Sequence, residues 1–456
     1  MHAAGPGPGP KSVLRRAYAG QLIDVSAAFA QERSRRVGIH EFGYRVHVAF
    51  AMLFCFLLAF PMSVVELAGI PLWIIWAIRT WMVWRVSLLS FVEPMYVAIG
   101  AWAAWQFASL GWSGDPALGF DQLGALRWVW TFFVLYPVLD QRRALIISMA
   151  CGFLFANGVQ ALHAIGAQVG WEAVTFGRMP DRISGWWQPV VAGSLLTGAL
   201  GLHLPAAIMG RGRVQILACL GAGVTLLGVF ATGSRGAWLA SAALLAISLG
   251  IGVATIRPSS RRWRVVIVGG VIALAVAGVA WLVVGDSIAR RAALAREEIA
   301  GAIEHKQFTS DTGARLLMWW WALEAMGEHP VIGVGAGGYR AWVESHLAEQ
   351  GIDPADRATH DHAHSTPLQI GATTGLVGLG IGAILLAVAM RGALTGLTRD
   401  TLGSYDAGPA FAIVGLMLAG LFDPVHINAQ TAAFLFTLFA ICQYPRPAQV
   451  GPKGGA

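Results

Sequence analysis

The amino-acid sequence predicts an all-α polytopic membrane protein, with about twelve membrane-spanning helices and one large helical segment outside the bilayer. Three observations predict it. The chain is 56% hydrophobic and only 12% charged, with a mean hydropathy of +0.60. Apolar runs of spanning length recur along it, and Lys and Arg fall on one side of those runs. A water-soluble fold of 456 residues has no means of hiding that much apolar surface, whereas a bilayer does.

A span needs roughly 20 apolar residues to cross about 30 Å of hydrocarbon. Uncharged runs of that size lie at 46–65, 94–114, 144–171, 183–210, 214–234, 236–256, 265–285 and 362–390. Two shorter runs enclose a single charge each, 67–84 with Arg79 and 122–139 with Arg127. Two more lie at 407–422 and 424–445. Placing the N-terminus in the cytoplasm puts 21 Lys and Arg inside, against four in the short outside loops (Arg127, Arg178, Arg182 and Arg235). That bias fixes the orientation, with both termini inside. The net charge of +7 is then an orientation signal, reinforced by attraction to anionic head groups, and requires no nucleic-acid partner.

The chain divides accordingly. Residues 1–45 form a basic cytoplasmic segment, with a Gly- and Pro-rich tail at 1–12 and a basic interfacial helix expected at 13–36. Residues 46–285 hold the first nine spans, 286–361 an outer loop domain, 362–445 three further spans, and 446–456 a cytoplasmic tail. The first apolar stretch starts too late and is too long for a cleavable signal peptide. Cys55, Cys151, Cys219 and Cys442 all fall within expected spans, so no disulfide framework is implied.

The outer segment concentrates charge, holding 19 of the chain's 57 formal charges in 76 residues. Function is expected at this face. Helical patterning runs over 288–304 and from Arg315 to His329, where Leu316, Trp319, Trp320 and Leu323 make an apolar stripe. Ser310, Asp311 or Thr312 supplies the cap. Gly333-Val334-Gly335-Ala336-Gly337-Gly338 matches G-x-G-x-x-G, but no strand or βαβ pattern surrounds it, so a turn between two loop helices is expected instead. Trp319-Trp320-Trp321 reads as packing or an interfacial belt.

Eight of the twelve histidines lie at the outer face, three of them in His360-Asp361-His362-Ala363-His364. Such alternation aims side chains together on an extended strand, where it would suit zinc, and scatters them on a helix. His364 stands where the charged segment re-enters the membrane. A neutral imidazole there makes a general base. Arg235, Arg182 and Arg315 stand at the same level, and an arginine near the bilayer needs an anionic partner. A head group or a neighbouring carboxylate satisfies one arginine; several beside a histidine favour a polyanion, and a membrane-borne diphosphate fits the planar guanidinium fork. Asp-x-Asp, the usual metal–diphosphate signature, is missing from the outer segments.

The order Gly233-Ser234-Arg235-Gly236, Arg315 with Trp319, His329-Pro330-Val331-Ile332-Gly333-Val334-Gly335, then His364-Ser365 resembles the O-antigen ligase and polymerase superfamily, above all its WaaL-type ligases. Their ligase motif is H-[NSQ], nine residues, then G-x-x-[GTY]. Here His364-Ser365 is followed by residues 366–374 and Gly375-Leu376-Val377-Gly378. Ser365 stands where Asn is frequent. The resemblance spans about 230–380, with Arg182-Ile183-Ser184-Gly185 similar to an upstream family element.

What the resemblance implies is a GT-C-like glycosyltransferase of the bacterial inner membrane, its site facing the periplasm, working without cofactor, metal or nucleotide. It would move a polysaccharide from undecaprenyl diphosphate to lipid A-core oligosaccharide, with inversion. His364 would be the general base, Arg235 and Arg315 would hold the diphosphate, and Arg182 would be a third contact. An O-antigen polymerase and a protein O-oligosaccharyltransferase of the same superfamily remain alternatives. A transporter, the alternative from another class, would carry internal repeats and buried charged pairs that the sequence lacks.

Overall fold

The computed structural model describes residues 38–255 apart from 92 and 172–181, residues 289–304 apart from 291, residues 308–349, residues 360–443 apart from 396, and the single positions 270, 278 and 285. The basic helix expected at 13–36 and most of the ninth apolar run lie outside them. Among the described residues every regular element is helical.

In chain order the helices are α1 (Ile39–Leu57), α2 (Met62–Ser90), α3 (Pro94–Ser109), α4 (Pro116–Leu123), α5 (Thr131–Leu135), α6 (Arg142–Val169), α7 (Pro189–Met209), α8 (Gly212–Ala231) and α9 (Arg235–Thr255). Residues 292–304 are helical. There follow α10 (Asp311–Glu328), α11 (Gly338–Glu349), α12 (Thr366–Leu394), α13 (Arg399–Leu402), α14 (Gly408–Ala419) and α15 (Ala429–Ile441). Six stretches are long and apolar enough to cross a membrane: Met62–Trp84, Pro116–Gly166, Pro189–Met209, Gly212–Ala231, Arg235–Thr255 and Thr366–Leu394. Tyr405–Ala419 and Ala429–Ile441 are shorter apolar helices.

Three of the apolar runs that depart from a single continuous helix shape the fold around the site. The run 122–139 is 3-10 helix over Gly124–Trp130, then α5, then 3-10 helix again over Tyr136–Gln141, where Pro137 removes a backbone donor. This stretch runs antiparallel to α1: Trp128 packs on Phe54, while Tyr44 donates to Asp140 at 2.8 Å. The chain then doubles back, since Gly152 on α6 abuts the Phe56 backbone. The run 183–210 turns helical only at Pro189, whose fixed φ suits a first helical turn. The run 362–390 is α12, which starts at Thr366 and breaks at Gly375 (φ 66°, ψ −165°).

The core sits around α7, on which every residue from Val191 to Ala206 is buried. Hydrocarbon tails are as apolar as leucine, so helices associate in a bilayer through close packing of small residues. On α7, Gly193 faces Ser234 and Ala237, Gly198 faces Leu416 and Phe434, and Gly201 faces the Phe411 backbone. A Cβ at Gly201 would lie 2.4 Å from the Phe411 carbonyl oxygen, whereas one at Gly250 on α9 would meet nothing within 4 Å. Gly201→Ala should therefore cost roughly 1–3 kcal/mol by overpacking. Gly250→Ala should be neutral, or stabilising by up to about 1 kcal/mol through helix propensity. Thermal midpoints of both variants in lipid nanodiscs check this; equal midpoints would show that α7 and α14 are not in backbone contact.

Candidate functional site

The site is assembled where α12 begins. The turn after α10 carries glycines at positive φ, Gly333 (66°), Gly335 (88°) and Gly337 (76°). It docks on the break in α12 through Val334 N–H to Ala372 O (2.9 Å), Gly335 N–H to Thr373 O (2.8 Å), Leu376 N–H to Pro330 O (2.8 Å) and Val377 N–H to Val331 O (3.2 Å). A side chain at Gly375 would sit 2.2 Å from the Val331 oxygen. So the first glycine of the H-[NSQ]-x9-G-x-x-[GTY] pattern serves close backbone approach. The G-x-G-x-x-G stretch is the turn between α10 and α11 that its sequence context predicts.

From this frame α10 projects its side chains. Ser310 is the cap, its Oγ accepting from Gly313 N–H at 3.1 Å. Thr312, next to it, is drawn instead into a cluster with Arg235 and Glu298. Arg235 Nη1 donates to Glu298 Oε2 and to Thr312 Oγ1, both at 2.7 Å, and Thr312 Oγ1 also donates to Glu298 Oε2. Burial pushes the Glu298 pKa up, but the hydrogen bonds from Arg235 and Thr312 and the Arg235 charge outweigh it and hold the carboxyl below its ordinary value. The bonds of Arg235 to described residues use Nη1 alone, leaving Nε and Nη2 as donors.

Arg315, one turn further, is mostly buried and makes no hydrogen bond or ion pair to a described residue. Burial lowers its pKa, and the charges of Asp423 and Asp311 pull it partly back. Asp423, in the link between α14 and α15, is itself buried; it accepts from Ser194 Oγ at 3.3 Å, and burial raises its pKa to about 6 against the pull of Arg315. That link is tied to the start of α12: Thr366 N–H donates to Gly420 O (2.6 Å), and Thr366 Oγ1 to Asp423 O (2.9 Å).

His364 lies between these groups with φ 47°, the left-handed region. A non-glycine residue there is held by its surroundings. Gln369 Oε1 accepts from Ala363 N–H (2.8 Å), Gln122 donates to Asp361 O (3.0 Å), and Arg340 Nη1 donates to Asp361 Oδ1 (2.9 Å). Its ring packs edge-on against those of His362 (4.3 Å between centroids) and His360 (5.4 Å). Nδ1 is buried without a partner, so Nε2 is the nitrogen open to the site. Burial, then the charges of His362, Arg315 and His360, lowers the His364 pKa to about 3. For His362 burial and the His360 charge lead, giving about 4.

The structure thus brings His364, Arg315 and Arg235 together. Arg182 meets the turn before Arg235 instead. Its Nε donates to Thr232 O (3.1 Å), bracing the turn that carries Arg235, and it is not among the charges acting on His364 or Arg315. Arg340, on α11, is occupied by Glu344 and Asp361. Among the described residues no group of three or more His, Cys, Asp or Glu is arranged to hold a metal ion. Of the tryptophans, Trp321 packs inward, Trp319 meets Phe422, and Trp320 is exposed.

Sequence reasoning missed Glu298, Thr312 and Asp423. Asp423 carried a signal, because Phe422-Asp423-Pro424 puts a carboxylate between two apolar runs, as costly there as the arginines. Glu298 is one acid among several on a charged helix, and only the fold selects it.

Residues 220–382 match the family model Wzy_C, described as O-antigen ligase. The likeness covers 163 of the chain's 456 residues. A search of curated proteins returns no match. The matched stretch includes Arg235, Glu298, Thr312, Arg315 and His364, and excludes Arg182 and Asp423.

The depressed histidines carry a pH signature. The unfolded chain takes up protons on His362 and His364 near pH 6.5, while the fold keeps both neutral down to about 4 and about 3. Their contribution to stability is therefore present above 6.5 and lost as pH falls toward 3. Asp423 acts oppositely, its contribution fading as pH rises from 3.8 through about 6. The thermal midpoint in nanodiscs should fall between pH 6 and 4, and less steeply in His364→Asn; the same slope in the variant would mean that His364 is not held neutral.

Proposed function

We propose, on the premise of the family likeness over residues 220–382, that the protein is an O-antigen ligase. It transfers polysaccharide from undecaprenyl diphosphate to lipid A-core at the periplasmic face of the inner membrane, without a metal. The observation that carries this reading is the juxtaposition of a neutral histidine, open at Nε2, with a mostly buried arginine that makes no hydrogen bond or ion pair to a described residue.

In this reading Arg315 receives the diphosphate, a direct anionic partner that no described residue supplies. Arg235 joins through Nε and Nη2 while Glu298 and Thr312 hold its Nη1, and Arg182 takes part through the turn it braces. The acceptor hydroxyl oxygen attacks the anomeric carbon from the face opposite the diphosphate. The carbon–oxygen bond to phosphate breaks, the electron pair leaves with undecaprenyl diphosphate, and the hydroxyl proton passes to His364 Nε2. The arginines stabilise the negative charge that grows on the leaving group. A base whose pKa is about 3 is weak. The bound diphosphate strengthens it, because it neutralises Arg315, one of the charges that depress it. Asp423 holds Arg315 in place as a buried counter-charge.

His364→Ala should lower transfer about 10²–10⁴-fold with normal membrane insertion. Arg315→Lys should also be poor, since Lys keeps the charge but loses the fork. Transfer is read with purified lipid-linked polysaccharide and lipid A-core, and near-normal rates in His364→Ala would remove it from the mechanism. The acceptor is identified by deletion of the gene. Ligase loss leaves bare lipid A-core while lipid-linked polysaccharide of normal length accumulates. A single repeat on the core would point to a polymerase, and an intact lipopolysaccharide ladder to a protein glycosyltransferase.

The orientation has its own check. Ser345→Cys, on the exposed side of α11, placed in a cysteine-free chain, should react with a membrane-impermeant maleimide in intact spheroplasts. Reaction only after lysis would put the site in the cytoplasm.

A further inference from the structure

Helix α10 has three faces. Met318, Trp321, Ala322 and Ala325 are buried in the core it shares with α11. Glu324 and Glu328, one and two turns beyond Trp320, border the third face and turn toward α11, through His346 Nε2 at 3.5 Å and Trp342 Nε1–H at 3.0 Å. The third face carries Trp320 and Leu323, and Val331 and Ile332 extend it into the following turn. These four side chains are 41–65% exposed, and none is charged.

Leu376, 60% exposed, continues the same apolar surface onto α12. The turn cannot drift away from α12, because the Pro330 and Val331 carbonyls accept from the Leu376 and Val377 amides. Past its break, residues 376–394 of α12 extend about 28 Å at 1.5 Å per residue. That nearly matches the roughly 30 Å of hydrocarbon, and so sets Leu376 at the hydrocarbon boundary. Val331 and Ile332, bonded beside it, share that depth. Apolar side chains gathered at this level are disfavoured in water, and an exposed tryptophan is favoured at a membrane interface.

We propose that the Trp320, Leu323, Val331 and Ile332 face lies on the bilayer leaflet on the His364 side, continuing the lipid contact that α12 begins at Leu376. Helix α10 is then a surface-docked helix. Arg315, five residues before Trp320 on the same helix, is thereby held at head-group depth, where a membrane-borne anion would present its charge.

The test uses the full-length chain with its cysteines replaced, reconstituted in phosphatidylcholine–phosphatidylglycerol vesicles. Leu323→Cys, Val331→Cys and, as reference, Ser345→Cys each carry an environment-sensitive fluorophore. The labels at 323 and 331 should be quenched several-fold more by lipids bearing a nitroxide high on the acyl chain than the label at 345, and should be shielded from aqueous iodide. Iodide quenching at 323 and 331 equal to that at 345 would overturn the proposal. So would shielding from both quenchers, which would mean that protein covers the face. Nitroxide quenching that changes only when lipid-linked polysaccharide is added would overturn it too, giving the face to the donor's tail. None of these readings depends on transfer, so they stand apart from the ligase reading.

Discussion

The backbone pairing between the turn after α10 and the broken helix α12 is the constraint on which the site depends. In a bilayer, a segment that leaves helical geometry exposes amides and carbonyls that lipid cannot satisfy. At Gly375 the break is tolerated because residues 330–335 of the turn take up the freed groups. Glycine is required on both sides: Gly375, Gly333 and Gly335 adopt positive φ, and a Cβ at any of them would strike backbone. The pairing fixes α10, and with it Arg315, relative to the start of α12, where His364 stands.

Charge placement follows from that frame. Arg235 and Arg315 are near enough for their charges to oppose each other, and Glu298 and Asp423 compensate unequally. Glu298 forms an ion pair with Arg235, whereas Asp423 acts on Arg315 only through space. A mostly buried guanidinium with an unmet demand for an anion is costly in a protein that is otherwise economical with charge. Under the proposed function, the site is arranged so that the donor lipid meets that demand.

The histidine strap shows how local strain is held. His364 adopts a conformation unusual for a side chain with a Cβ, and bonds from α4, α11 and α12 surround the residues next to it. Exposed ion pairs such as Arg340–Asp361 contribute little stability, about 0–1 kcal/mol. Here the pair's place is geometric, since it joins the outer segment to the strap that carries the histidine.

The sequence by itself determined the all-helical membrane class and the positions of most apolar runs, because spanning hydrocarbon imposes length and composition on any chain. It also marked His364, Arg235 and Arg315, since charged and titratable groups at a membrane boundary are rare. Glu298, Thr312 and Asp423 were decided by tertiary structure, because their place depends on which distant segments meet, as Asp423 does with Ser194 and Arg315. The broken form of α12 was likewise hidden. A glycine in an apolar run reads equally as helix packing or as a break, and the docked turn, about forty residues upstream along the chain, decided between them.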